Sequence, residues 1–185
     1  FESFLKILAR DIYTHISRKY HNLPIPHPFS NKITLHGANS SHVFDGVVIA
    51  THADQALKML AVPSQQEQAL LGQWQYSTNK TDLHQSSSVV PKQRDGWASW
   101  IYTRFNDDEM TASYWMNRLQ ALHTSIDYFV TLNAQQRIPA EDIHYSTVYE
   151  HPMMTKDSIA TQSSLHSLNG YMNTYFCGSY FGYGF

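Results

Sequence analysis

The stretch Phe44-Asp45-Gly46-Val47-Val48-Ile49-Ala50-Thr51 decides the fold class of this 185-residue chain. Asp45-Gly46 predicts a turn, and the β-branched run that follows it has no polar alternation. A run of this kind is typical of a strand that is covered on both faces, as in an α/β layer. The stretch therefore predicts a buried strand with helices nearby.

The residues before this strand predict a helix, a connector and two further strands. Residues 1–20 carry apolar side chains close to helical spacing, which predicts an amphipathic helix buried along one face. Adhesion to a membrane is an alternative, but acidic residues among the basic ones disfavour it. Prolines alternate through 23–28, which requires an extended connector. Short strands are predicted at 33–36 and 42–44.

The residues after the strand predict two helices and then an antiparallel sheet. The first helix covers 52–60, and the second begins at the capping-box pattern Ser64-Gln65-Gln66-Glu67. From Trp74 onwards the hydrophobic period changes to two, and short turns divide the strands. The predicted strands cover 74–78, 97–105, 110–117, 128–132 and 143–149.

The end of the chain returns to a helix and a strand. Asp157 is the expected N-cap of a helix that continues to about Leu168, and Gly170 is expected to end it. A strand is then predicted at 171–177. The predicted fold class is α+β: a central antiparallel sheet with packed helices, plus a few strands of an incomplete α/β domain.

Composition narrows the possible functions and partners. Charged residues make up 15% of the chain and the net charge is −2, which gives no reason to expect nucleic acid as a partner. The apolar runs are too short for a transmembrane segment. The single cysteine, Cys177, suits a reducing compartment, and a cytoplasmic location is expected. The eleven histidines show no metal-ligand spacing, so no metal site is expected.

Several segments, taken in order, resemble amine-oxidase-like flavoproteins, and in particular a branch described as predicted NAD/FAD-binding proteins. The stretch 44–51 resembles the place where the chain leaves the flavin domain of such proteins, and 176–184 resembles its return. Three segments between them also resemble that branch: Thr51-His52-Ala53-Asp54-Gln55-Ala56-Leu57, Tyr114-Trp115-Met116-Asn117-Arg118-Leu119-Gln120 and Tyr149-Glu150-His151-Pro152.

The resemblance implies a division of the chain. Residues 1–32 would be the amphipathic helix and proline-rich connector, and 33–56 would be strands of a partial FAD-binding domain. Residues 57–172 would form a substrate domain with the antiparallel sheet, and 173–185 would return to the FAD-binding domain. Since residue 1 is Phe and the chain stops after a glycine-rich turn, we expect an internal piece of a longer protein.

The resemblance also implies that Gly178, Gly182, Tyr183 and Gly184 lie beside the flavin. Glycine lets backbone approach a ligand closely, which suits a loop beneath a ring system. The alternative is a glycine-aromatic loop that only packs. The chain has no G-x-G-x-x-G, the turn that brings a pyrophosphate to a helix N-terminus. FAD is therefore expected in the parent protein, and no stable binding by this chain alone.

The substrate candidates are Trp115, Asn117, Tyr149 and His151, because the predicted sheet is dense in aromatics with polar neighbours. The alternative is a sheet that uses aromatics only for packing. No catalytic base is named, since a flavin accepts the hydride itself. The leading hypothesis is oxidation of a C–H bond next to an amine or in a lipid-like substrate.

Two other function classes stay open. One is a non-enzymatic α+β module that binds a lipid or another apolar ligand, which the aromatic sheet and the missing catalytic motifs would suit. The other is an interaction scaffold, in which exposed apolar faces are buried in a homo-oligomer.

Overall fold

The computed structural model describes residues 4–7, 15–19, 32–106, 109–134 and 136–182. The chain forms two compact units. The first unit contains the residues up to Tyr76 and those from Pro152 onwards, and the second unit is Ser77–His151.

Eleven strands and four α-helices are formed by the described residues. The strands are β1 (Phe4–Ile7), β2 (His15–Lys19), β3 (Lys32–His36), β4 (Ser41–Phe44), β5 (Gly46–Ile49), β6 (Tyr76–His84), β7 (Trp100–Arg104), β8 (Met110–Trp115), β9 (Phe129–Leu132), β10 (Ile143–Pro152) and β11 (Thr174–Phe176). The helices are α1 (Ala53–Met59), α2 (Gln65–Leu71), α3 (Met116–Leu119) and α4 (Lys156–Leu165). Together they confirm the α+β class.

A three-stranded parallel sheet in the order β1-β5-β11 lies at the centre of the first unit. Its middle strand is β5, in which Val47 and Ile49 are fully buried, so the predicted buried strand is confirmed. In the register of the sheet, Ile7 of β1 and Phe176 of β11 both lie opposite Ile49. The expected exit and return segments are therefore neighbouring strands whose carboxyl ends meet at one edge.

The prediction of an amphipathic helix over residues 1–20 is wrong, because strands β1 and β2 lie inside this range. Strand β2 pairs antiparallel with β3, which pairs with β4 in a second sheet of three strands. The buried Ile16 lies opposite Leu35, and the buried side chain of Arg18 follows two residues later. Short apolar runs are compatible with both helical and strand periodicity. The pairing of β2 with β3 makes residues 15–19 a strand. The proline-rich connector lies outside the described residues.

The helices of the first unit begin largely where their capping residues predict. The hydroxyl of Ser64 accepts from the backbone of Glu67, and the Glu67 carboxylate accepts from the backbone of Ser64, which confirms the capping box. Helix α4 begins after Thr155 and not at Asp157, because Thr155 and Ser158 form a reciprocal cap of the same kind. Helix α4 ends at Leu165, and Gly170 follows it in a left-handed conformation.

One hydrophobic core holds the first unit together. It contains residues from the parallel strands, from β2 and β3, from all three helices of this unit and from the turn after β11. Its members are Ile16, Ile33, Leu35, Val47, Ile49, Ala53, Ala56, Met59, Leu60, Leu71, Trp74, Leu165, Leu168, Phe176 and Tyr180.

The second unit is built on a five-stranded sheet in the order β10-β6-β9-β8-β7. The pairs β6–β9, β9–β8 and β8–β7 are antiparallel, as the period-two segments predicted. This unit is shorter than the expected substrate domain of residues 57–172. The assignment of the two units to a flavin domain and a substrate domain stays a prediction.

Candidate functional site

One face of the five-stranded sheet is covered, and its buried surface is unusually polar. Asp82, Thr131 and Ser113 lie opposite one another on the three middle strands and are buried. His84 is also fully buried. A small hydrophobic core covers this face, with members Val89, Val90, Trp97, Ile101, Phe129, Ala134 and Ile138. The polar side chains are thus taken out of water and need partners within the unit.

Hydrogen bonds between side chains link these buried groups, and His84 Nδ1 is the one ring nitrogen among them without a partner in the described residues. His84 Nε2 and the Ser113 hydroxyl lie 2.7 and 2.8 Å from Thr131 Oγ1. Ser146 of β10 donates to the carboxylate of Asp82 at 2.5 Å, and Lys80 contacts the same carboxylate. Burial lowers the pKa of His84 to about 4. The loss of hydration of the charged imidazole outweighs its attraction to the nearby carboxylates of Asp82 and Asp142. The buried imidazole is therefore neutral near neutral pH.

The opposite face carries apolar and aromatic side chains in two rows. Register partners in neighbouring strands share a face. The first row is Leu83, Val130, Tyr114 and Trp100, and the second is Leu132, Ala112 and Tyr102. Thr81 is in register with the second row, but it is polar and buried. Tyr145 joins this face, because its neighbour Ser146 points to the covered one. We call the set Leu83, Trp100, Tyr102, Ala112, Tyr114, Val130, Leu132 and Tyr145 the open aromatic face.

None of the members of the open aromatic face is buried. Trp100, Tyr102 and Tyr145 have exposed fractions of 50%, 64% and 62%. The rings of Trp100 and Tyr114 are 5.6 Å apart in an edge-to-face arrangement, which is favourable for aromatic pairs. Four strand spacings of about 4.8 Å make the face about 19 Å wide from β10 to β7. A face of this kind is wide enough for an elongated apolar ligand.

The polarity of strand β6 is therefore reversed from the usual pattern, whereas Phe129 of β9 and Ile101 of β7 point to the covered face as usual. An antiparallel sheet with one solvated face ordinarily turns its apolar side chains inwards and its polar ones towards water. Here Asp82 and His84 point to the covered face, while Leu83 between them points to the open one. Exposed apolar patches of this kind mark binding surfaces. This makes the open aromatic face the candidate functional site.

Two of the predicted substrate residues, Trp115 and Asn117, make contacts that organise the unit itself. Trp115 packs edge-to-face on Trp97 at 5.3 Å and donates from its indole to Asp127 at 2.9 Å. The side chain of Asn117 donates to the carbonyl of Ile126 and accepts from the backbone N–H of Tyr128. These bonds close the loop between α3 and β9. Contact of either residue with substrate stays a prediction.

The other two predicted substrate residues, Tyr149 and His151, are exposed near the end of β10. Their rings are 6.5 Å apart, and His151 Nδ1 lies 3.0 Å from the side-chain amide of Asn79. Trp115 lies opposite Phe129, which lies opposite His84 at the carboxyl end of β6, whereas Asn79, the contact of His151, is nearer the amino end of β6. The two predicted pairs are thus at opposite ends of the sheet, with two strands between them. The structure does not bring the four together.

The sequence pointed to part of the open aromatic face and missed the rest. Trp100, Tyr102 and Tyr114 lie in the predicted strands 97–105 and 110–117, and the structure places them on this face. Leu83 lies outside every predicted strand, since β6 continues to His84 and the prediction ended at residue 78. Alternation of apolar and polar residues would also place such a leucine in the core. In strand β6 that rule fails.

In the first unit, the predicted cofactor residue Gly178 lies at the carboxyl edge of the parallel sheet. It is the second residue after β11, and an added Cβ would lie 3.4 Å from the carbonyl oxygen of Thr51 after β5. Open α/β sheets bind ligands outside the carboxyl ends of their strands. Its φ of +155° and a distance of 2.7 Å from the added Cβ to the Tyr180 ring both require glycine here. Packing alone accounts for this residue.

The remaining predicted cofactor residues are only partly described. Gly182 ends the short 3-10 turn Ser179–Phe181, and its carbonyl accepts from the side chain of Gln162. Tyr180 in this turn is buried in the core of the first unit. Tyr183 and Gly184 lie outside the described residues. A cofactor role for these four positions stays a prediction.

No group of three or more His, Cys, Asp or Glu side chains that could hold a metal ion occurs among the described residues. None of the helices formed by those residues is long and apolar enough to cross a membrane.

The described residues form an α+β protein in which, in sequence order, the strands of the antiparallel sheet come between β5 and β11 of the parallel sheet. Parts of several solved enzymes share this fold. A fatty acid isomerase from P. acnes that produces CLA matches with a TM-score of 0.51 at 11% identity, over 83% of this chain and 41% of its own. Cyclohexylamine oxidase from Brevibacterium oxydans IH-35A matches with the same TM-score, identity and coverages.

A third solved structure, reduced UDP-galactopyranose mutase, matches with a TM-score of 0.50 at 10% identity, over 80% of this chain and 39% of its own. The chain therefore spans about two fifths of the length of the enzymes it matches. At these identities the likeness shows the fold. No family model matches the sequence, and no curated protein matches it.

Proposed function

We propose that the chain is part of a flavin-dependent oxidoreductase and that its second unit supplies a substrate-binding sheet. The observation that carries this proposal is the open aromatic face, where apolar side chains are exposed while polar ones are buried beneath the sheet. Leaving the exposed rings of Trp100, Tyr102 and Tyr145 in water is unfavourable unless an apolar molecule covers them. The bound substrate would be that molecule.

The flavin part of the proposal is supported by the parallel sheet and by the resemblance of its exit and return segments. Strands β5 and β11 are neighbours, and Gly178 lies where α/β sheets bind their ligands. A bound flavin would accept a hydride from the substrate. The residues of this chain would orient the substrate and exclude water from it. The likeness in fold to an oxidase and an isomerase supports this class.

The open aromatic face favours a lipid-like substrate over an amine. Its eight members include no carboxylate that could pair with an ammonium group. One row of apolar and aromatic side chains extends across all five strands, which suits a long hydrocarbon better than a compact charged group; its members are Tyr145, Leu83, Val130, Tyr114 and Trp100. We therefore propose oxidation at an alkyl or alkenyl carbon of an apolar substrate.

Titration of this chain with a long-chain alcohol tests the substrate surface, and tryptophan fluorescence measures the binding. Replacement of both Trp100 and Tyr102 by Ala should weaken binding by about tenfold or more, since two aromatic contacts are worth about 1.4 kcal/mol or more together. Because the double variant lacks Trp100, its binding of the alcohol is measured by calorimetry. Tyr175→Ser in the first unit is the matched control, because Tyr175 is also an exposed aromatic residue. Equal loss in both variants would reject this surface.

The flavin is tested on a longer protein that includes the sequence before and after this chain. Its purified form should show flavin absorption, or take up FAD when FAD is added. A colourless protein that takes up no FAD would leave the alternative, an apolar-ligand module without redox chemistry. Ligand binding by this chain without flavin is expected under both functions, so flavin uptake by the longer protein is the result that separates them.

A further inference from the structure

Strand β10 has the features of a strand that pairs with another chain. At ten residues it is the longest strand in the described part of the chain, and it lies at the end of the five-stranded sheet. Its outer edge faces no other strand among those residues, so alternate backbone N–H and C=O groups point outwards. Natural edge strands are usually blunted by lysine, proline or bulges. Strand β10 has no lysine, and its proline is the last residue, Pro152.

The side chains of β10 are exposed as well as its edge. Tyr145, Val148 and Tyr149 have exposed fractions of 62%, 57% and 54%. By contrast, β7 at the other edge of the sheet has only five residues and ends in Arg104. The two edges are therefore not equivalent. Only β10 combines length, exposed apolar side chains and few charges.

We propose that β10 pairs antiparallel with β10 of a second copy of this chain, around a two-fold axis at Thr147. In this register His144 lies opposite Glu150 of the second copy, and Tyr145 lies opposite Tyr149 of the second copy. Symmetry makes each pair occur twice. The imidazole and carboxylate are complementary, and paired tyrosines on neighbouring strands are favourable contacts. The two sheets become one sheet of ten strands.

The sequence of β10 disfavours the neighbouring registers. An axis at Ser146 would place Asp142 opposite Glu150, which are like charges. An axis at Val148 would place His144 opposite Pro152 and lose the pair with Glu150. A slip by one residue would turn the second sheet over. The register at Thr147 keeps the open aromatic faces of both copies on the same side.

The proposal is tested by sedimentation of the chain over a range of concentrations. The expected result is an equilibrium between the 21.3 kDa chain and a species of twice that mass. His144→Glu alone and Glu150→Lys alone should each weaken dimerisation by about tenfold, because each disrupts two symmetric pairs. The double variant with both changes should restore it, since the charges are then complementary again.

The matched control is Glu141→Lys, which makes the same charge change as Glu150→Lys. Glu141 is exposed in the turn just before β10 and outside the proposed interface. This variant should dimerise like the original chain, and circular dichroism should show all variants folded. A chain that stays monomeric at every concentration overturns the proposal. Failure of the double variant to restore dimerisation, or an equal loss in Glu141→Lys, also overturns it.

Discussion

Phe176 of β11 lies opposite Ile49 of β5 in a parallel pair, and all strands of the second unit come from residues between them. A parallel pair requires a crossover connection, and here that connection includes a whole compact unit. The pairing also brings the segments that follow both strands to the same edge, where Gly178 approaches Thr51. The stability of this edge can be tested with single substitutions.

Gly178→Ala should destabilise the first unit by about 1–3 kcal/mol, because the position has a positive φ and a Cβ would collide with the buried Tyr180. Chemical denaturation measures this change. Gly182→Ala is the matched control: its φ is negative and a Cβ there would meet nothing within 4 Å. Equal stability of the two variants would mean that Gly178 has no structural role, and would strengthen the cofactor hypothesis.

Local signals in the sequence predicted much of the fold. The run Val47–Ile49 and the capping box at Ser64 depend on a few adjacent residues, and the structure confirms both. Strand β2 was missed because its identity depends on pairing with β3, which lies beyond an intervening connector. Nearest-neighbour patterns do not contain that information.

The candidate site was harder to predict than the fold. Alternation along β6 shows that Asp82 and Leu83 point to opposite faces, but it does not say which face is covered. The usual assumption places Leu83 inside, and the structure has the reverse. The reason is the hydrogen-bonded chain through Thr131, whose members come from three strands. No local sequence pattern predicts a hydrogen-bond network of this kind.

The buried ion pair of Arg18 and Glu67 should be important for the first unit. Their side chains are 4% and 1% exposed, and two hydrogen bonds of 2.6 and 2.8 Å join them. Burial alone would raise the pKa of Glu67, but hydrogen bonds from Arg18 and Ser64 leave it below its usual value. Glu67→Gln should cost about 3–5 kcal/mol of unfolding free energy, since it leaves a buried charge without its partner.

Thermal and chemical denaturation test this prediction. Lys58→Gln is the control, because it breaks an exposed pair with Asp54 on helix α1 and should cost about 0.5 kcal/mol or less. A similarly small effect of Glu67→Gln would show that the Arg18 pair contributes little. In the original protein, the contribution of Glu67 is present above its unfolded pKa of about 4.5 and should be lost as the pH falls below that value.

Tyr180→Phe should leave the first unit as stable as before or make it more stable. The Tyr180 hydroxyl is buried and has no hydrogen-bond partner among the described residues. Burial raises the pKa of this phenol well above its usual value, so the group stays neutral. Removing a buried, unsatisfied hydroxyl recovers up to about 1–3 kcal/mol. A marked fall in the denaturation midpoint would show that the hydroxyl has a hydrogen-bond partner, and a buried water molecule would then be the candidate.

Mild acid should destabilise the second unit through His84. Burial lowers the pKa of His84 from 6.5 to about 4, so the unfolded chain binds a proton in this range and the folded chain does not. Unfolding free energy should therefore be unaffected above about pH 6.5, and it should fall by about 3 kcal/mol in total as the pH drops from there to about 4. His84→Gln should remove this slope, although it also weakens the contact with Thr131. The exposed His151 is the control, since His151→Gln should keep the slope. Denaturation at a series of pH values makes the comparison, and an unchanged slope in His84→Gln would assign the acid sensitivity to another group.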